Sequence, residues 1–151
     1  MPFDYQMPTA DITSANAILV MTVANLFPAG VTLQGFSTDQ SYSQDELQVT
    51  EDRMGVDGNL VAGWIPSIKP VTVILEASSP SYTAMCQLYR AMEKKRGIYT
   101  VKLVATIPSI ARIYTWTEGV LKSGQPVADG KKILDPTSWK FDFARLLITK
   151  A

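Results

Sequence analysis

The sequence predicts a fold that is mainly β with one flanking α-helix (α+β), two packed antiparallel sheets forming a β-sandwich or barrel. Three observations carry this prediction. Apolar and polar residues alternate along several segments, the period of strands with one buried face. Only one stretch, residues 80–96, repeats its apolar residues at helical spacing. Turn residues separate the alternating segments at short intervals, which favours a sandwich or barrel flanked by a helix. At 151 residues the chain suits a single domain, 1–151, large enough to bury roughly 70% of its unfolded surface.

Residues 1–16 are polar and turn-prone and read as an N-terminal arm. Ala17 to Asn25 is a strand with apolar residues on both faces, Leu19, Met21 and Val23 against Ile18, Val20 and Ala24, so it calls for cover on both sides. Phe27-Pro28-Ala29-Gly30 reads as a turn, and Val31 to Phe36 as the second strand. Residues 37–59 form an acidic arm that is either an extended hairpin or a loop, with a strand beginning between Leu47 and Arg53. Asp57-Gly58 is the strongest hairpin signal, because a type I′ turn needs positive φ at both centres. Leu60 to Ile65 returns from it, and Pro66 and Pro70 bracket a bend.

Val71, Val73 and Leu75 then alternate with Thr72, Ile74 and Glu76, a strand with a buried face. Ser79 is placed to cap the helix, and Pro80 suits its first position, where a missing N–H costs nothing. Tyr82, Met85, Cys86, Tyr89 and Met92, widened by Leu88, make a stripe that packs on a sheet. Lys94, Lys95 and Arg96 oppose the negative end of the helix dipole, and Gly97 is the expected stop. Tyr99 to Ile107 alternates again, as does Ile110 to Leu121, with Tyr114 and Trp116 on one face. Val127 to Leu134 is a weaker, more exposed β segment. After Asp135-Pro136, the last strand alternates Trp139, Phe141 and Phe143 with Lys140, Asp142 and Ala144.

Chemistry is conspicuously thin. The chain has no histidine, which removes Ser-His and Cys-His nucleophile systems and the commonest zinc ligand. A lone cysteine, Cys86, excludes an intrachain disulfide. P-loop, G-x-G-x-x-G and G-x-S-x-G motifs are absent. Asp45-Glu46 and Glu51-Asp52 are adjacent pairs, and neighbours in a strand point to opposite faces, so neither doublet makes a carboxylate site alone. No catalytic residue, cofactor or metal is expected. No basic n-region opens the chain, and its most apolar run, residues 17–24, falls far short of the roughly 20 residues that span a bilayer. A soluble protein with no membrane contact is expected.

Zero formal net charge hides an asymmetry. Residues 1–76 carry nine acids and two bases, whereas 77–151 carry five acids and twelve bases, so the halves stand near −7 and +7. Six acids, Asp39, Asp45, Glu46, Glu51, Asp52 and Asp57, fall in one segment. A chain divided in this way suits subunits that meet acidic side to basic side.

The run Gly55-Val56-Asp57-Gly58, followed by Ala62-Gly63-Trp64-Ile65-Pro66-Ser67, resembles the inner tail-tube proteins of contractile-tailed bacteriophages. Ala77-Ser78-Ser79-Pro80-Ser81, Gly119-Val120-Leu121-Lys122-Ser123 and the closing Trp139-Lys140-Phe141 fit the same family, over about residues 35–145. The resemblance implies the tail-tube fold, similar to that of type VI secretion tube proteins. It also implies homohexameric rings stacked into a tube inside a sheath, through which DNA leaves the capsid. Expected partners are further copies of the chain, the tail sheath protein, baseplate or tube-initiator and tail-terminator proteins, and tape measure protein and DNA in the lumen without specific binding. The implied location is the virion tail, assembled in the host cytoplasm.

Within this frame, Asp39, Asp45, Glu46, Glu51, Asp52, Asp57 and Gly58 are expected at an inter-subunit stacking interface. Arg90, Lys94, Lys95 and Arg96 are expected on the outer, sheath-facing wall, since a basic lumen would retain DNA phosphates. Alternatives remain: a ring-only initiator, adaptor or terminator; a monomeric β-barrel binding a small apolar ligand near Trp64 or Trp116; or an enzyme using carboxylates.

Overall fold

In a computed structural model, residues 17–33 and 42–150 are described. The N-terminal arm, Phe36 and Asp39 lie outside them. Nine strands, one α-helix and one 3₁₀ turn make up the described residues. In chain order these are β1 (Ile18–Val23), β2 (Phe27–Leu33), β3 (Tyr42–Gln44), β4 (Thr50–Met54), β5 (Leu60–Trp64), β6 (Lys69–Leu75), α1 (Pro80–Lys95), β7 (Val101–Ile107), β8 (Arg112–Gly124) and β9 (Thr137–Lys150). The predicted class holds: mainly β, antiparallel, two sheets and one helix. The strands divide unevenly, into a seven-stranded sheet ordered β2-β1-β7-β8-β9-β6-β3 and a separate β4-β5 ribbon.

The period-2 residues of the large sheet build the core. Leu19, Met21 and Val23 of β1 meet Val101, Leu103 and Ala105 of β7, Val71, Val73 and Leu75 of β6, and Trp139, Phe141 and Phe143 of β9. All are essentially inaccessible to solvent. Ile18, on the other face of β1, is half exposed, so that strand is covered fully on one side only.

The sheet rolls up without closing. The Trp116 indole N–H on β8 donates to the Gln44 side-chain carbonyl on β3 at 2.6 Å. These strands stand three places apart in the sheet, roughly 14 Å if it were flat. Two irregularities on β8 help the bend, one near Glu118, which has φ 56°, and one between Leu121 and Ser123. β2 and β3 remain as edges.

Helix α1 follows the predicted start closely. The Ser79 hydroxyl accepts from the Ser81 N–H at 3.0 Å, with Pro80 in the first turn. Ser79→Ala is expected to cost about 1 kcal/mol, read as a lower urea midpoint with an unchanged m-value. Met85 and Leu88 are fully buried, and Tyr82 meets the Trp139 ring edge-on at 6.3 Å, so the stripe seals the rolled sheet. Tyr89 is the stripe's exposed margin.

Four local expectations are corrected. The first turn lies at residues 24–26, with the Leu26 N–H on the Val23 carbonyl, and Phe27 to Gly30 are strand. Pro28 is tolerated because β2 is an edge, and Gly30 at φ 87° lets that edge bulge. The left-handed residue ending α1 is Arg96 at φ 54°, one position before Gly97, and its N–H returns to the Met92 carbonyl. Residues 125–136 form a loop instead of a β segment. There β9 is already flanked by β8 and β6, and the loop is held by the Tyr82 hydroxyl on the Pro126 carbonyl and by a Lys131–Asp135 ion pair of 2.9 Å. The fourth correction concerns the Asp57-Gly58 tip.

Candidate assembly surface

Strands β4 and β5 pair from Thr50↔Trp64 to Met54↔Leu60, and the Ile65 N–H closes the base on the Val49 carbonyl at 3.0 Å. At the tip, the Gly55 N–H donates to the Asn59 carbonyl at 2.8 Å and the Gly58 N–H to the Gly55 carbonyl at 3.0 Å. Only Gly58, at φ 85°, is left-handed there. This is a three-residue turn closing in a glycine bulge, not the two-residue type I′ turn, and Asp57 serves it differently. Its carboxylate accepts from the Asn59 backbone N–H at 3.1 Å and from the Asn59 side-chain amide at 2.9 Å.

Those two bonds, the backbone one foremost, hold the Asp57 carboxyl below its usual range. A depressed carboxylate pKa stabilises the folded tip above the unfolded value, near 3.9, and that contribution is lost as pH falls through the lower folded value. The protection factor of the Asn59 amide is therefore expected to fall below about pH 4, while core amides keep theirs. Asp57→Ala should remove the pH dependence.

Every residue of both strands is exposed. The register puts Trp64, Ala62, Leu60 and Met54 on one face with Asp52 and Thr50, and Glu51, Arg53 and Val61 on the other. Trp64 is 72% exposed, Met54 66% and Leu60 63%. The three tryptophans thus have different fates: Trp116 and Trp139 are core, while Trp64 stands on the ribbon. Such apolar exposure on a two-stranded ribbon is unusual for an isolated subunit, since a lone hairpin is marginal in water.

The predicted acids are brought onto this one arm. Glu51 and Asp52 lie on β4, Asp57 and Gly58 at the tip, and Asp45 and Glu46 in the exposed lead-in after β3. No group of three potential metal-ligating side chains occurs among the described residues. Arg90, Lys94, Lys95 and Arg96 are all exposed, on and just past the last turns of α1. The Lys95 ammonium sits 4.5 Å from the Tyr99 ring centre, a local cation–π contact.

A second exposed surface escaped the sequence reading. β9 runs to Lys150 and is paired with β8 from Trp139 to that end, but β6 covers it only as far as Phe143. Beyond that point Leu147 and Ile148 are more than half exposed. A groove of 620 Å³ separates this end of β9 from Trp64 and Pro66 at the ribbon's base, with Lys69 and Arg145 on its walls. The signal was the loss of alternation in Leu146-Leu147-Ile148, which a one-faced strand does not need.

The fold extends over nearly the full length of several proteins from contractile injection particles. A chain of the anti-feeding prophage baseplate, from a 6-fold symmetrised cryo-EM structure, aligns with a TM-score of 0.57 at 10% identity, over 97% of this chain and 98% of that one. The tube-terminating cap of the same particle aligns at 0.53 and 13% identity, over 100% and 95%. A chain of the sheath–tube complex of an extracellular contractile injection system aligns at 0.52 and 10% identity, over 98% and 94%. No curated protein matches the sequence. The sequence pattern of one family spans residues 10–147, and the chain belongs to that family, the tail fiber protein gp32 family.

Proposed function

We propose that the chain is a structural subunit of the inner tube of a contractile tail, assembling into homohexameric rings that stack as the conduit for DNA ejection. Membership in a tail-protein family supports the broad role, and the fold shared with chains of a baseplate, a tube-terminating cap and a sheath–tube complex supports a place on the tail axis. The single observation that carries self-assembly is the β4–β5 ribbon. It exposes Trp64, Met54 and Leu60 and lacks a packing layer of its own, so a neighbouring copy supplies one. The same arm carries Glu51, Asp52 and Asp57, which suits stacking against the basic half of another subunit and leaves DNA phosphates unbound.

In this arrangement Asp45 and Glu46 also lie at the stacking interface. Arg90, Lys94, Lys95 and Arg96 face the tail sheath; baseplate or initiator proteins and a terminator bind the tube ends. Tape measure protein and then DNA occupy the lumen without specific contacts, in a particle assembled in the host cytoplasm. The family and the similar folds are those of tail components, and no enzymatic step is assigned to the chain. A second reading, a ring-only cap or adaptor, is favoured by the cap-like and baseplate-like fold.

Negative-stain imaging of the concentrated protein separates these readings. Long hollow tubes are expected; isolated rings would move the assignment to the cap or adaptor. A protein that stays monomeric, with tryptophan fluorescence responding to apolar ligands, would overturn both.

A further inference from the structure

We propose that the uncovered edge of β9, residues 144–150, is an acceptor on which strand β4 of a second copy of this chain adds by main-chain hydrogen bonding. The inference rests on the self-assembling role above and names the surfaces that meet.

Three observations carry it. First, β9 is paired on its β8 side as far as Arg112↔Lys150, while on its other side the ladder stops at Lys69↔Phe143. Among the described residues no strand continues that side, so alternate N–H and C=O groups from residue 144 onward have no ladder partner there. Backbone groups in a strand are obligatory hydrogen-bonding groups, and a bare edge is a template for another strand. Second, β4 has the complementary defect: it pairs with β5 alone, leaving five residues, Thr50 to Met54, with an open edge.

Third, charge selects this pairing over its rivals. β4 offers Glu51 and Asp52 with one base, Arg53, whereas the acceptor presents Arg145 and Lys150, with Arg112 opposite Lys150 and Lys69 on the groove wall. Glu118 already neutralises part of Arg145, at 2.8 Å. Two copies joined β9 to β9 would bring together two strand ends that carry only basic charge, Arg145 and Lys150, which is unfavourable. The contact is therefore head-to-tail, with a different surface on each copy, and it propagates into a ring or filament as the symmetry allows.

Cross-linking of the full chain tests this. With Cys86→Ala as background, Thr50→Cys and Leu147→Cys variants are purified separately, mixed under assembly conditions and treated with a short bismaleimide. A covalent dimer is expected in the mixture and absent from either variant alone, and its yield should fall as salt is raised, because the attraction is between exposed charges. A dimer from Leu147→Cys alone would overturn the proposal in favour of β9–β9 pairing. Tubes or rings that form without the mixed cross-link would overturn the β9 edge as acceptor and leave the tail-tube reading standing. A wild-type chain that never assembles would overturn both.

Discussion

Gly124→Val and Gly119→Val are expected to lower the melting temperature more than any substitution on the β4–β5 ribbon. Both glycines sit on β8 opposite aromatic residues of β9, Gly119 across from Phe143 and Gly124 across from Trp139. A Cβ built on Gly119 would overlap the Phe143 ring, and one on Gly124 would overlap the Trp139 ring. Neither ring can swing out of the way, because Phe143 is 1% and Trp139 0% exposed, and Trp139 is also tied through its N–H to the Thr137 hydroxyl at 3.0 Å. The ring lying over the glycine fills the space that a side chain would take, and overpacking of this kind costs about 1–3 kcal/mol per added group. In a domain of this size each kcal/mol is worth roughly 2–4 °C of melting temperature. Gly63→Ala, where a new Cβ meets nothing within 4 Å, is the matched control and should leave thermal unfolding unchanged. Combining Gly119→Ala with Phe143→Leu should cost less than the sum of the two single changes, because the smaller side chain vacates the overlap. Equal destabilisation by Gly63→Ala and Gly119→Ala would show that backbone entropy, not ring overlap, governs these positions.

The need for these two glycines is not visible in the sequence around them. Gly119-Val120-Leu121 was legible as strand, but the cross-strand aromatic that makes the glycine necessary lies 24 residues away, and only the register reveals it. What was legible depended on local periodicity. Val71-Val73-Leu75, Trp139-Phe141-Phe143 and the Met85-Leu88 stripe were read correctly because one buried face imposes its own spacing. The Ser79-Pro80 cap was read correctly because capping is satisfied within one turn. The failures were non-local. Pro28 belongs to a strand because β2 is an edge, a fact about its neighbours. Residues 127–134 read as weakly β, yet they form a loop anchored through the Pro126 carbonyl to Tyr82, 44 positions away. That Glu51, Asp52 and Asp57 share one arm is visible in the sequence through their clustering, whereas the uncovered end of β9 depends on where β6 stops. The Trp116–Gln44 bond that rolls the sheet joins residues 72 positions apart and leaves no signature in either segment.

Removing the ribbon is expected to abolish assembly while leaving the domain folded. The Val49–Ile65 backbone bond brings the ends of the ribbon together, so residues 50–64 can be replaced by a Gly-Gly link without moving either flanking segment far. No β4 or β5 side chain belongs to the core cluster, which is drawn from β1, β2, β6 to β9 and α1. Unfolding free energy should accordingly change little, while the variant stays monomeric by light scattering at concentrations where the wild type forms particles. A gentler version, Leu60→Asp with Trp64→Ser, keeps the ribbon but makes its apolar face polar, and should likewise block assembly with a melting temperature near wild type. The two variants divide the possible causes. If the apolar face drives association, both lose it, because each good apolar anchor desolvated at an interface contributes on the order of 2 kcal/mol. If the ribbon contributes mainly backbone pairing through β4, the double substitution on β5 weakens assembly only partly and the deletion alone abolishes it. Tubes from the deletion variant would remove the ribbon from the interface altogether and turn attention to β2 and β3, the outermost strands of the large sheet among the described residues.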